Sequence, residues 1–289
     1  MTKKHNKNQV VLVAGATRSI GRAAAIEFGA SGATVYCTGR SITGNTTGRP
    51  ESVNETADLV TAAGGEGIAV QVDHTDPKAV QALIERIEKE QGSLDVLVNN
   101  IWGGGELTDR GAPFWKHDLH KGLTMLERAI NSHIITAHYA APLMISNKGG
   151  VIFEITDGNT DKYRGSFFYD LVKTTIMRMA KTMAIELKPH NVAAIAMTPG
   201  FLRSEAILEH FGVTEENWRD AISKYEPFGL SESPHYLARA LKAISADLKI
   251  MDKSGKTFTV GDIAEEYGFT DVNGTQPHWQ RNNTTSSNS

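Results

Sequence analysis

The stretch Val10-Val11-Leu12-Val13-Ala14-Gly15-Ala16-Thr17-Arg18-Ser19-Ile20-Gly21 decides the fold. An apolar run of strand length enters a glycine turn, and a second glycine opens a helical pattern. A backbone that turns sharply at a helix N-terminus leaves N–H groups free to meet a pyrophosphate. Glycine is also an ordinary turn residue, so this turn alone is a weak sign. The surrounding chain strengthens it.

Outward from this turn, apolar runs of strand length fall at Gln9–Ala14, Ala33–Thr38, Gly67–Val72, Leu94–Val98, Val151–Thr156, Val192–Met197 and Thr257–Val260. Helical patterns occupy about 19–30, 51–63, 77–91, 118–146, 166–188 and 234–247. Alternation of this kind predicts parallel strands joined by right-handed crossovers, an α/β doubly wound sheet. No composition break divides the chain. We read one domain, with a core over 9–200, an amphipathic lid insertion over 203–230 and a C-terminal extension. The tail Arg281–Ser289 has no apolar residue and is expected to be disordered. Ser41–Arg49 is a polar, glycine-rich loop longer than a routine strand-to-helix turn.

Composition excludes several classes. With 40% hydrophobic and 22% charged residues the chain is an ordinary soluble protein, and a net charge of -3 gives no reason to expect nucleic acid or anionic membranes as partners. Cys37 is the lone cysteine, which excludes an intramolecular disulfide and suits a reducing cytoplasm. Met1–Asn8 is basic but leads into a strand-length apolar run, unlike a signal peptide. His117 with His120, or His133 with His138, have helical spacing but no supporting Cys or carboxylate cluster, so no metal site is expected and solvated or capping roles are favoured. Glu205, Glu209, Glu215 and Glu216 read as the exposed face of helices.

The second strand ends Thr38-Gly39-Arg40-Ser41. An NAD-selective site usually places a carboxylate there against the ribose 2′-hydroxyl, whereas Gly39 leaves the position empty and Arg40 adds a cation. Arg18 supplies a second. Guanidinium forks suit a 2′-phosphate, so NADP is expected over NAD. Far downstream, Tyr169 and Lys173 lie four apart on a helix and share a face. A cradle followed at this distance by a paired phenol and ammonium is the layout of an NAD(P)-dependent carbonyl or alcohol oxidoreductase.

In these features the chain resembles the short-chain dehydrogenase/reductase superfamily, most closely the branch typified by dehydrogenase/reductase member 1. The family's TGxxxGxG turn is Ala14–Gly21, its adenine-contacting Asp is Asp73, its NNAG strand end is Asn99-Asn100-Ile101-Trp102, its YxxxK is Tyr169–Lys173 and its PG motif is Pro199-Gly200, followed by Ser204. The resemblance implies a Rossmann fold in which Gly15, Thr17, Arg18, Ser19, Ile20, Gly21, Arg40, Asp73, Asn99, Lys173, Pro199, Gly200 and Ser204 hold NADP. It implies a small carbonyl or alcohol substrate and, as an assembly, a homo-oligomer, dimer or tetramer. Tyr169 would exchange a proton with the substrate oxygen while Lys173 lowers its pKa. Moving a phenol from about 10 to about 7 takes roughly 4 kcal/mol, and a cation about 4 Å away gives roughly that at an effective dielectric of ~20.

The departures are as informative. Ser19 replaces the middle glycine of the turn, and Ile101-Trp102 should narrow the cofactor cleft. Asn131 lies two residues past the position of the family's helix-four asparagine and should face elsewhere. The serine that ends the fifth strand is missing. Asp157 aligns with it and Thr156 precedes it. An ionised carboxylate beside Tyr169 would oppose Lys173, so we expect Thr156 to put its hydroxyl near the phenol and Asp157 to turn toward loop backbone or solvent. The alternative keeps Asp157 protonated as a donor. Trp102, Phe114, Trp115 and the segment Phe201–Tyr225 would close the pocket. Two rival readings remain: a catalytically weak NADP-binding sensor or scaffold, and a dehydratase or isomerase using Asp157 as acid.

Overall fold

The computed structural model describes residues 9–47 and 49–282. The reading of Met1–Asn8 therefore lies outside the described residues. Seven strands, β1 (Val10–Ala14), β2 (Thr34–Gly39), β3 (Glu66–Gln71), β4 (Val96–Asn99), β5 (Gly150–Ile155), β6 (Val192–Thr198) and β7 (Thr257–Thr259), form one sheet in the order β3-β2-β1-β4-β5-β6-β7. Every neighbouring pair is parallel. β1, β4 and β6 are buried along their whole lengths, as strands covered on both faces must be.

The helices start and stop where local chemistry dictates. In α3 (Pro77–Gln91), Asp76 caps the Lys78 amide at 2.9 Å, Pro77 occupies the first turn and Gly92 leaves the helix in the left-handed conformation. α1 (Ser19–Gly29), α2 (Val53–Ala62), α6 (Phe167–Leu187) and α8 (Pro234–Ser245) match the predicted periodicity closely. One apolar layer joins α1 and α8 to the sheet through Phe28, Val13, Val98 and Leu241. The opposite layer joins α3 and α5 (Ser132–Ser146) through Leu12, Ile87, Leu97 and Leu143.

Three corrections concern helices. The single helix expected over 118–146 is α4 (Leu119–Leu126), a π-helical turn Glu127–Asn131 and α5 (Ser132–Ser146). The wider turn keeps Met125 and Ala129 facing α6, where they pack with Val172 and Ile176. Beyond β7 an unexpected helix α9 (Val260–Tyr267) begins, its Asp262 amide capped by Thr259. Over 203–230 the chain forms α7 (Glu205–Phe211) and two 3-10 turns, Trp218–Ser223 and Glu226–Leu230. Arg281 and Asn282, assigned to the disordered tail, complete a helical turn α10 (Trp279–Asn282), and Arg281 pairs with Glu265 at 2.6 Å. The rest of that tail lies outside the described residues.

Candidate active site

All seven strands point the same way, so their carboxyl ends line one edge, and the sheet order reverses between β1 and β4. Ligands of such folds sit in the crevice at that reversal. The cradle there is sterically determined. Gly15 has φ +86°, and a Cβ on it would lie 2.9 Å from the Asn100 carbonyl oxygen; one on Gly21 would lie 2.0 Å from the Gly15 carbonyl oxygen. Asn100 Nδ2 donates to that same Gly15 oxygen at 3.1 Å, tying the turn to the end of β4. Ser19 sits at φ +51° and its hydroxyl is buried without a partner among the described residues. A small polar side chain left unsatisfied at a helix N-terminus, beside a turn that admits no Cβ, fits the phosphate groups of a dinucleotide.

The other cofactor candidates distribute unevenly. Thr17 is half-buried and Arg18 and Arg40 are exposed, while Ile20 is buried in the core behind the turn. Asp73, at the end of β3, accepts from the Thr75 amide and hydroxyl and lies near Arg40; burial alone would raise its pKa, but these contacts bring it below the usual value. Pro199 and Gly200 are backed by α10: Gln280 Nε2 donates to the Pro199 carbonyl at 3.0 Å, and a Cβ on Gly200 would lie 2.5 Å from Trp279 Cβ. Ser204 precedes α7.

Asn99 is a correction. Its side chain is wholly buried, donating at 3.0 Å to Glu154 Oε1 and to the His133 carbonyl. It braces β4 against β5 and α5 instead of facing a cofactor. His133, read as solvated or capping, is fully buried too, with Nδ1 2.5 Å from Glu154 Oε2 and Nε2 3.0 Å from the Ile101 carbonyl. Strand position 154 gave the only signal, a carboxylate inside an apolar run. Asn131 is exposed, as its offset predicts.

The catalytic candidates give the main correction. Tyr169 Oη donates to Asp157 Oδ2 at 2.6 Å. Thr156 is buried and its hydroxyl donates to the Lys173 carbonyl at 2.7 Å, so it anchors α6 and does not serve the phenol. Asp157, which aligns with the missing serine, is the residue that bonds the phenol. The expectation overlooked two cations. Arg164 donates from Nε to the Asp157 carbonyl at 2.5 Å and from Nη1 to Asp170 Oδ1 at 2.8 Å, and the Arg110 guanidinium lies 5.3 Å from the Tyr169 ring centroid. Both oppose the local negative charge. The Tyr169 pKa is nonetheless pushed well above its ordinary value, by burial first and then by Asp157 through charge and hydrogen bond.

Lys173 reaches the same pocket. Its Nζ lies 4.3 Å from the Trp102 ring centroid and 5.6 Å from that of Tyr169. Burial lowers its pKa to about 8, with Asp157 pulling the other way. Trp102 meets Tyr169 edge-on at 5.5 Å, so the residue expected to narrow the cleft walls the phenol and the ammonium together. Phe114 and Trp115 remain 55% and 71% exposed and pack near Phe167. Phe201 and Tyr225 belong to a separate aromatic cluster with Phe228. These four do not close over Tyr169.

Against known proteins, residues 9–210 match the short chain dehydrogenase family. The chain belongs to that family. It is an oxidoreductase family with a Rossmann, nucleotide-binding fold, and two curated relatives show the range. Dehydrogenase/reductase SDR family member 1 of Homo sapiens is 30% identical over 271 residues, covering 92% of this chain and 84% of its own. The 7alpha-hydroxysteroid dehydrogenase of Clostridium sardiniense is 26% identical over 245 residues, covering 84% and 88%. Among solved structures, L-sorbose reductase from Gluconobacter frateurii complexed with NADPH and L-sorbose superposes with a TM-score of 0.73 at 20% identity, covering 88% of this chain and 95% of its own. That likeness concerns the fold alone. No helix among the described residues is long and apolar enough to cross a membrane.

Proposed function

We propose that the protein is an NADP(H)-dependent oxidoreductase interconverting a carbonyl and an alcohol on a small or medium organic substrate, with Tyr169 and Asp157 delivering the proton as a pair. The observation that carries this reading is the 2.6 Å bond between them, beside Lys173 and at the same sheet edge as the dinucleotide cradle. Gly15, Thr17, Arg18, Ser19, Ile20, Gly21, Arg40, Asp73, Pro199, Gly200, Ser204 and Lys173 would line or shape the cofactor's place, and the dinucleotide when bound supplies or accepts the hydride.

The proton step belongs to the chain. During reduction Tyr169 passes its proton to the substrate oxygen. A pair that had already lost one proton would then become a phenolate and a carboxylate 2.6 Å apart, a strongly repulsive arrangement. A pair still holding both protons ends with one negative charge, facing Lys173, Arg110 and Arg164. The doubly protonated pair is therefore the competent form for reduction, with Asp157 acting as a neutral carboxylic donor. In oxidation the same pair receives the proton.

The test is a cofactor-oxidation screen against a panel of carbonyl compounds. Wild type should prefer NADPH over NADH by at least about tenfold, or about 1.4 kcal/mol. Tyr169→Phe should lose turnover by about a hundredfold or more. Equal use of both cofactors would overturn the NADP assignment, and full activity in Tyr169→Phe would overturn the proton assignment. The Asp157–Tyr169 bond equally suits a second reading, acid-catalysed dehydration or isomerisation, which would show product formed without net cofactor oxidation. As part of the same proposal the protein is a cytoplasmic homo-oligomer, dimer or tetramer; exposed Phe114, Trp115, Leu119 and Leu123 favour association, and sedimentation measures it.

A further inference from the structure

The acidic residues of α7 do not simply face solvent. Glu205 and Glu209, four apart on one helical face, each bond a residue distant in sequence. Glu205 Oε1 accepts the Ser19 amide hydrogen at 2.9 Å. That amide is one of the unpaired donors of the first turn of α1, the group a pyrophosphate would take. Glu209 grips Arg49 through both oxygens, with Arg49 Nη2 to Oε1 at 2.5 Å and Nη1 to Oε2 at 3.0 Å. Arg49 closes the long polar loop that follows β2, the strand whose end borders the adenosine ribose in this fold. A carboxylate held by a guanidinium fork has the same recognition chemistry as a phosphate. Arg49 first, and Arg18 more weakly, also hold the Glu209 carboxyl below its ordinary pKa.

Two carboxylates on one short helix thus contact two groups suited to the two phosphate-bearing parts of NADP. We propose that the Glu205–Glu209 face of α7 is an internal substitute for the cofactor's phosphates: it latches the lid over the cleft until NADP(H) displaces both carboxylates, and Arg49, released from Glu209, then joins Arg18 and Arg40 on the 2′-phosphate. The proposal rests on the NADP(H) reading above. It makes the lid and the cofactor competitors for the same donors, so cofactor entry frees α7. It also assigns a specificity role to Arg49.

The experiment is a calorimetric or fluorescence titration of NADPH and NADH into wild type, Glu205→Gln, Glu209→Gln and Arg49→Ala, with hydrogen exchange followed over residues 203–212. Glu205→Gln should tighten both nucleotides alike, by roughly fivefold, about 1 kcal/mol, because both carry the pyrophosphate. Glu209→Gln should tighten NADPH by a similar factor and NADH by less. Arg49→Ala should lower the NADPH-to-NADH affinity ratio by roughly tenfold. Saturating NADPH should speed exchange in residues 203–212 of wild type. Unchanged affinities in both glutamate variants, an unchanged ratio in Arg49→Ala, or slower exchange with NADPH would overturn the latch while leaving a wild type that binds NADPH tightly. Wild type that binds neither nucleotide would remove the cofactor reading, and the latch with it.

Discussion

A phenol hydrogen-bonded to a carboxylate holds its proton harder than one bonded to a hydroxyl, because ionisation would set two negative charges side by side. Asp157 puts Tyr169 in that position, and Lys173 alone does not reverse it. Thr156→Val should then act on the fold more than on the chemistry. It removes the buried bond to the Lys173 carbonyl and should cost about 1 kcal/mol in urea unfolding, with the pH dependence of turnover unchanged. A new pH dependence in that variant would restore Thr156 to a catalytic role. Motif alignment pairs Asp157 with the missing serine, and the Tyr169 hydroxyl donates to it. Arg110 and Arg164, which offset the charge of Asp157, were not legible because they lie in irregular segments where no periodicity shows which way a side chain points.

Strands and helices with strong periodicity were legible because parallel strands buried on both faces must be apolar throughout. The π turn between α4 and α5 was not legible: its residues Glu127–Asn131 continue the helical pattern, and the change from one hydrogen-bond spacing to the next leaves no mark in residue types. The buried Asn99–Glu154–His133 group was hidden for another reason, since its members come from β4, β5 and α5 and meet only through the sheet register. Glu154→Ala leaves His133 and Asn99 buried without their partner and should cost roughly 3–5 kcal/mol in denaturant unfolding; a loss below about 1 kcal/mol would show the group to be dispensable. At the cradle, Gly21→Ala forces a Cβ to 2.0 Å from the Gly15 oxygen. It should abolish measurable NADPH binding by titration, and retention of wild-type affinity would show that the turn is not the binding element.

Across the whole molecule, a half-buried carboxyl and a fully buried one join distant parts of the chain and give stability opposite pH slopes. Glu27 links α1 to α8; burial alone would raise its pKa, but His235, Lys242 and Arg239 bring it to about 2. Its contribution is present above the ordinary value of 4.5 and is lost as pH falls toward 2. Glu232, beneath Gly200 and beside the buried Arg203–Asp271 pair, is pushed up to about 8 by burial. The folded state then binds its proton more tightly than the unfolded state, so this contribution is full below 4.5 and lost as pH rises to about 8. Glu232→Gln should flatten the decline in urea midpoint between those values; an unchanged slope would assign the decline to other groups. This cluster, which ties residues 203–232 and the C-terminal extension to the Pro199-Gly200 loop, was not legible because Arg203, Glu232 and Asp271 are far apart in sequence and each reads as a surface charge.

The most direct test of the paired proton donor is the pH dependence of kcat/KM for carbonyl reduction in wild type and Asp157→Asn. Wild-type activity should be highest when the Tyr169–Asp157 pair holds both protons and should fall as pH rises through the loss of the first. Asp157→Asn keeps a neutral side chain at every pH, so its alkaline fall should move up by more than about one pH unit. An alkaline limb at the same pH in both proteins would contradict the pair and leave Tyr169 as the sole donor.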